Sequence, residues 1–153
     1  MDVGDRAPGF DLPATGGGRV SLAGLRGKKV VLYFYPSDGT PTCTKQACAF
    51  RKGAAMIEGA EGVIVGISPD GVESHDKFRT KYRLPFVLVA DEGHKVADAY
   101  GVWVKKSMFG VKYMGIERTT FVIDRAGKVA AVFRKVRVKG HVEAVGEALA
   151  SLG

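Results

Sequence analysis

Cysteine is scarce in this chain: there are two among 153 residues, Cys43 and Cys48. Two are too few for the disulfide framework of a small secreted protein, and in a reducing compartment a close pair points instead to catalysis or metal binding. Histidine is equally sparse, and His75, His94 and His141 stand at no ligand spacing to the cysteines, so no metal is expected. No apolar run approaches the ~20 residues needed to cross a bilayer, and no membrane partner is expected. The opening MDVGDRAPGFDLPA has early acids and no apolar h-region, so it does not read as a secretory signal; a cytoplasmic setting is the expectation. Gly16-Gly17-Gly18 lacks the spacing and the following Lys-Ser/Thr of a phosphate loop and reads as a hairpin tip. Neither an internal repeat nor a linker is visible, so residues 1–153 are read as one domain with room for a hydrophobic core. The net charge of +7 suits an anionic partner but is spread through the chain. Its one dense cluster, Arg134, Lys135, Arg137 and Lys139, alternates with Val136 and Val138, and reads as the solvated face of an edge strand. Without aromatic platforms or a known module, no nucleic acid is expected.

What is present is concentrated in one stretch, Val30 to Arg51, VVLYFYPSDGTPTCTKQACAFR. An apolar, β-branched and aromatic run breaks at Pro36, crosses a polar loop and restarts at Thr42 with helical spacing: strand, loop, helix start. Both cysteines fall here, Cys43 close to the new helix's beginning. A thiol at a helix N-terminus faces unpaired N–H groups and the positive end of the helix dipole, which favour a thiolate. The alternative is that both are small buried hydrophobes.

The rest of the chain alternates. Residues 1–28 read as two short edge strands joined by a turn, followed by a loop from Gly24 to Lys28. Lys29–Tyr35 is a buried strand, and Ala47, Phe50, Ala54 and Ile57 form one face of the following helix. Gly62–Ile67 is a strand, Val72–Tyr82 an amphipathic helix with Val72, His75, Phe78 and Tyr82 inward, and Phe86–Val89 a short strand. Lys95–Tyr100 is a helix capped by Gly101, and Val102–Gly115 reads as a long irregular loop. Arg118–Asp124 and Lys128–Arg134 form a hairpin around Asp124–Gly127, and His141–Leu152 is a last helix burying Val142, Val145, Leu149 and Leu152. This order predicts an α/β protein with a thioredoxin-like fold, a central mixed β-sheet flanked by helices, and an N-terminal β-hairpin extension.

Pro36-Ser37-Asp38-Gly39-Thr40-Pro41-Thr42-Cys43 matches Pro-x-x-x-Thr-x-x-Cys, the active-site signature of the peroxiredoxins. With YFYP, TPTCTKQAC, GISPDGVESHDKF, LPFVLVAD, AYGV and GIERTTFVID in order over roughly residues 5–150, the chain resembles the bacterioferritin-comigratory, or peroxiredoxin Q, subfamily. The resemblance implies that Cys43 is the peroxidatic thiol and forms a sulfenic acid. Thr40 would hold the substrate oxygen and the thiolate, Pro36 would shield the pocket, and Arg118 would place its guanidinium beside the sulfur. Cys48 would be the resolving thiol, giving an intramolecular disulfide that thioredoxin, or glutaredoxin, reduces. Hydrogen peroxide and organic hydroperoxides would be the substrates, with no metal, haem, flavin or other cofactor, and the protein would be a monomer or weak dimer. Thr42 and Gln46 stand where the subfamily usually has Gly and Glu.

Lowering a thiol pKa from ~8.5 to ~6 raises the thiolate fraction at pH 7 roughly 30-fold. The accompanying loss of nucleophilicity removes roughly tenfold of that. Fixed donors must therefore supply the rest, and Arg118, the Thr40 hydroxyl and the amides near Cys43 suit that task. Taken alone, Thr40 reads as a turn or N-cap residue and Arg118 as a surface ion pair with Glu117. On one helix, residues i and i+5 lie about 8–9 Å apart at Cα, beyond the ~7 Å reach of a disulfide, so the helix start must unwind to form the bridge. Met108, Phe109, Tyr113 and Met114 are candidates to line a mouth for an alkyl peroxide, with a partner contact or plain loop packing as alternatives. Two rival readings are a general thiol-disulfide oxidoreductase, which normally carries Cys-x-x-Cys, and a redox-inert basic binding module.

Overall fold

The computed structural model describes residues 1–153. Strand β1 (Asp11–Pro13) turns through a 3-10 segment at Thr15–Gly17 into its antiparallel partner β2 (Arg19–Ser21), forming the expected N-terminal hairpin. Gly16 and Gly17 take φ of +83° and +79° there, the left-handed region open to glycine. Then follow β3 (Lys29–Phe34), α1 (Pro41–Gly59), β4 (Gly62–Ser68), α2 (Val72–Tyr82), β5 (Val87–Ala90) and α3 (Lys95–Ala99). The chain ends with β6 (Trp103–Met108), β7 (Val111–Ile116), β8 (Thr119–Ile123), β9 (Val129–Phe133) and α4 (His141–Ala150).

Five strands form the central sheet in the order β5-β4-β3-β8-β9; β4 lies parallel to β3 and β5 parallel to β4, while β8 and β9 run antiparallel to their neighbours. This is a mixed sheet in a thioredoxin-like arrangement. Strand β3 is buried throughout, because both faces of the sheet are covered and alternate residues enter two separate cores. Val30, Leu32 and Phe34 pack with Val65, Ile67, Phe121, Tyr100 and the N-terminal hairpin. Val31, Tyr33 and Tyr35 pack on the opposite side with Ala47, Phe50, Ala54 and Ile57 of α1, Phe78 of α2 and Val142, Val145 and Leu149 of α4. The buried Lys29 ammonium donates to the carbonyls of Ala60 (3.1 Å) and Leu149 (3.2 Å), capping the C-terminal ends of α1 and α4 with a cation.

Two expectations are corrected. Residues Val102 to Gly115 are not an irregular loop: β6 and β7 pair antiparallel from Trp103↔Ile116 to Met108↔Val111. The two-residue turn between them is Phe109-Gly110, with φ of +52° and +79°, the primed geometry that matches strand twist. Nor do the clustered cations line an edge strand. Strand β9 ends at Phe133, so Arg134, Lys135, Arg137 and Lys139 lie in the connection to α4; they are exposed, with Val136 and Val138 half-buried between them.

Helices α1 and α4 meet through glycine. A Cβ on Gly53 would fall inside the Val142 Cγ1 methyl, whereas one on Gly146 would lie 2.7 Å from the terminal methyl of Met56. Val142 is β-branched and buried; Met56 is flexible and 47% exposed. We therefore expect opposite outcomes from two like substitutions. Gly53→Ala should lower stability by about 1–3 kcal/mol through overpacking. Gly146→Ala should be neutral or raise it by up to about 1 kcal/mol through helix propensity. Thermal unfolding of both variants checks the pair.

Candidate active site

Strand β3 delivers the chain to Pro36, which ends it, and the loop Ser37–Gly39 leads to α1. Thr40 is the N-cap, with extended φ and ψ of −73° and 152°, and Pro41 occupies the first turn. A proline there costs no hydrogen bond and presets the helical φ. Thr40 makes no side-chain cap, so the N–H groups of the first turn are open to a ligand. Cys43 sits in that turn, 2% exposed, and neither cysteine is in a disulfide.

Arg118 reaches this turn from the end of β7. Its Nη2 donates to Cys43 Sγ at 3.2 Å and its Nη1 to Gln46 Oε1 at 2.5 Å. Cys43 and Gln46 share a helix face at i and i+3, and the planar guanidinium spans both. Arg118 is thus not paired with Glu117. Sheet register places it there: Phe34 pairs with Thr119, so the residue before Thr119 lies across from the end of β3.

The other expected site residues are placed differently. The Thr40 hydroxyl is exposed and donates to the Ser37 carbonyl at 3.1 Å; it makes no hydrogen bond to the sulfur. Pro36 is half-buried beside the site loop, and Cys48 is half-buried on α1, five residues beyond Cys43.

Two elements escaped the sequence reading. In the sequence Gln46 stands out only as a departure from the usual Glu, yet it is fully buried and holds Arg118, 72 residues away. The site loop is also tied down by a buried polar network. Asp38 accepts from Tyr35 Oη (2.6 Å) and Ser74 Oγ (2.8 Å), and its Oδ2 lies 2.7 Å from His75 Nδ1. His75 Nε2 lies 2.9 Å from the Val89 carbonyl, so the imidazole bridges the loop to β5. Asp70 accepts from the Asp38 backbone N–H (2.8 Å) and from Ser68 Oγ (2.6 Å). Asp38, Asp70 and His75 offer three close potential ligand atoms, but each of these side chains already has protein partners. The available signal was the pairing of Ser-Asp in the loop with Ser-His on the inward face of α2.

The sequence profile of the AhpC/TSA family matches residues 3–132. The chain is 52% identical over 145 residues to the Bcp relative of Coxiella burnetii, covering 95% of this chain and 96% of that one. It is 47% identical over 142 residues to peroxiredoxin Bcp of Bacillus subtilis, covering 93% and 90%. Among solved structures, the bacterioferritin comigratory protein of Xanthomonas campestris, described for its alkyl peroxide reduction activity, superposes with a TM-score of 0.89 at 37% identity, over 93% of this chain and 90% of that one.

Two groups near the site are expected to make stability depend on pH, in separate windows. His141 begins α4, with its Nε2 2.9 Å from Thr120 Oγ1. Burial first, then the Arg118 charge, lowers its pKa from 6.5 to about 4. The unfolded chain therefore binds the proton more readily between those values, and stability falls as pH drops from 6.5 to 4, by up to about 3 kcal/mol. For Asp38, burial acts to raise the pKa, but the hydrogen bonds from His75, Tyr35 and Ser74 together outweigh it and hold the carboxyl below its ordinary range. Its contribution is complete above about pH 4 and is lost below, as the pH falls through the folded value. Denaturant titrations from pH 7.5 to 3.5 should show stability declining already near pH 6. In His141→Gln that early decline should largely disappear while the loss below about pH 4 persists; an unchanged early decline would assign it to another group.

Proposed function

The chain belongs to the AhpC/TSA family and, within it, to the Bcp/peroxiredoxin Q group; from this premise, that it is a thiol-dependent peroxidase, we propose that Cys43 is the peroxidatic thiol and Cys48 the resolving one. The observation that carries the assignment is the guanidinium of Arg118 held 3.2 Å from Cys43 Sγ. A fixed cation beside a nucleophile stabilises the charge it carries in attack, and the same guanidinium is proposed to stabilise the charge that develops on the departing oxygen. The open N–H groups of the first turn of α1 serve the same charge.

The reaction balances as follows. The Cys43 thiolate attacks one peroxide oxygen, the O–O bond breaks, and the leaving oxygen takes a proton to depart as water or an alcohol, leaving a sulfenic acid. The Cys48 thiol then displaces hydroxide from that sulfenic sulfur as water, forming the disulfide. A thioredoxin-type dithiol reduces the disulfide by exchange; within that class, thioredoxin or glutaredoxin is the proposed donor. Pro36 is proposed to shield the pocket. Thr40 is proposed to orient the peroxide once its hydroxyl leaves the Ser37 carbonyl. With both cysteines on one regular helix at i and i+5, the first turns of α1 must unwind before the bridge closes. The activity described for the Xanthomonas relative supports alkyl hydroperoxides alongside hydrogen peroxide as substrates. We further propose that the protein acts as a monomer or weak dimer. No helix is long and apolar enough to cross a membrane.

Peroxide consumption coupled to thioredoxin and its reductase tests the assignment. Cys43→Ser should lose all activity, whereas Cys48→Ser should lose turnover yet consume about one equivalent of peroxide. Full activity in Cys43→Ser would overturn the reading. Removing the donor in Arg118→Gln should cost roughly 10²-fold in the first step. Gln46→Ala, which frees Arg118, should cost roughly tenfold, and Gln46→Glu, able to accept the same hydrogen bond, should restore most of it. Amide spectra of the reduced and oxidised forms should differ over residues 40–50; identical spectra would exclude the unwinding.

A further inference from the structure

The β6–β7 hairpin carries most of the large apolar surface that the fold leaves uncovered. Met108 is 56% exposed, Phe109 99%, Val111 65%, Tyr113 41% and Met114 44%. Phe109 is anomalous twice. It stands wholly in solvent, and it occupies a turn position with φ of +52° that favours Asn, Asp or Gly and disfavours bulky side chains. Packing within the fold gives no reason for a phenylalanine there, and an outlier of this kind points to function.

The distribution of the side chains identifies what the tip meets. Cross-strand partners share a face of the ribbon, so Met108, Val111 and Tyr113 lie on one face and Met114 on the other, with Phe109 at the apex. Lys106 and Tyr113 both pack over Gly115, each within 3.3 Å of where its Cβ would stand, which fixes that face. A rigid partner covers one face of a ribbon, whereas a soft apolar phase surrounds a protruding tip. Together these side chains form an exposed apolar patch of a few hundred Å², large enough to mark an interaction site. Charge completes the pattern: between Asp98 and Glu117 there is no acidic residue, and the exposed Lys105 and Lys112 flank the tip without forming any ion pair. Their long stems can lie along the apolar side chains while the ammonium groups reach a headgroup layer.

We infer that the β6–β7 hairpin is a peripheral membrane contact, which seats Phe109, Met108 and Val111 in the interface of an anionic bilayer and sets Lys105 and Lys112 against its headgroups. This mode needs no spanning segment, only a few apolar side chains reaching ~5–10 Å into the interface, with each nearby lysine adding attraction to anionic lipid. Strand β7 is six residues long, so the Cys43–Arg118 site stands within about 25 Å of the seated tip.

The test is flotation of the full chain, without peroxide, on vesicles of phosphatidylcholine alone and of phosphatidylcholine with phosphatidylglycerol at about 0.1 M salt. The wild type should float with the anionic vesicles and not with the neutral ones. Phe109→Asn, which suits the turn and so preserves folding, should weaken this at least about tenfold, as should Lys112→Glu, while hydrogen peroxide turnover by Phe109→Asn stays at the wild-type level. Cys43→Ser should float like the wild type, which keeps this result separate from the peroxidase assignment. A wild type that fails to float with anionic vesicles, or a Phe109→Asn variant that floats equally well, overturns the inference. Self-association of the wild type abolished by Phe109→Asn in sedimentation velocity overturns it as well, in favour of a second copy of the chain.

Discussion

A single guanidinium joins the parts of this molecule that matter for chemistry. Arg118 donates to Cys43 Sγ and Gln46 Oε1 at once, and it can do so only because β8 pairs with β3 in the register Phe34↔Thr119. A slip of one residue would turn every β8 side chain to the opposite face and carry the arginine away from α1. The buried alternation of Phe121, Val122 and Ile123 between the two cores is therefore what holds the cation in place. Stability and function meet in one strand pairing.

The loop between β3 and α1 shows a related division of labour. Its Ser37–Asp38 portion is fastened to α2 and to the β4–α2 turn by Asp38, Ser74, His75 and Asp70. Nothing comparable fastens the first turn of α1 outside the Arg118 bridge. A rearrangement that brings Cys48 to Cys43 can thus be confined to the helix start, leaving the loop that precedes it anchored.

How far the sequence is readable depends on the distance over which each contact acts. The strand–loop–helix around Cys43, the face Ala47–Phe50–Ala54–Ile57 and the span of α2 were all legible, since periodicity and local turn residues encode them. The β6–β7 hairpin was not. VWVKKSMFGVKYMG mixes adjacent lysines with apolar residues and turns at Phe-Gly in place of Asn-Gly, so neither the alternation nor the turn is typical. The partnership of Gln46 with Arg118 and that of Asp38 with His75 lie 72 and 37 residues apart and are created by the sheet alone. At Thr40, the sequence carries the motif but not the hydroxyl's present engagement with the Ser37 carbonyl, which is a matter of rotamer.

The 75 residues that separate Cys43 from Arg118 also bear on synthesis. At ribosomal rates of about 5–20 residues per second, roughly 4–15 s pass between the emergence of the thiol and that of its cation. The pairing of β3 with β8 is non-local and forms late relative to helices and hairpins. A nascent or partly folded chain therefore exposes Cys43 without its charged neighbour, and the two meet only when β8 closes the sheet. Completion of the fold and the meeting of thiol and guanidinium are the same event.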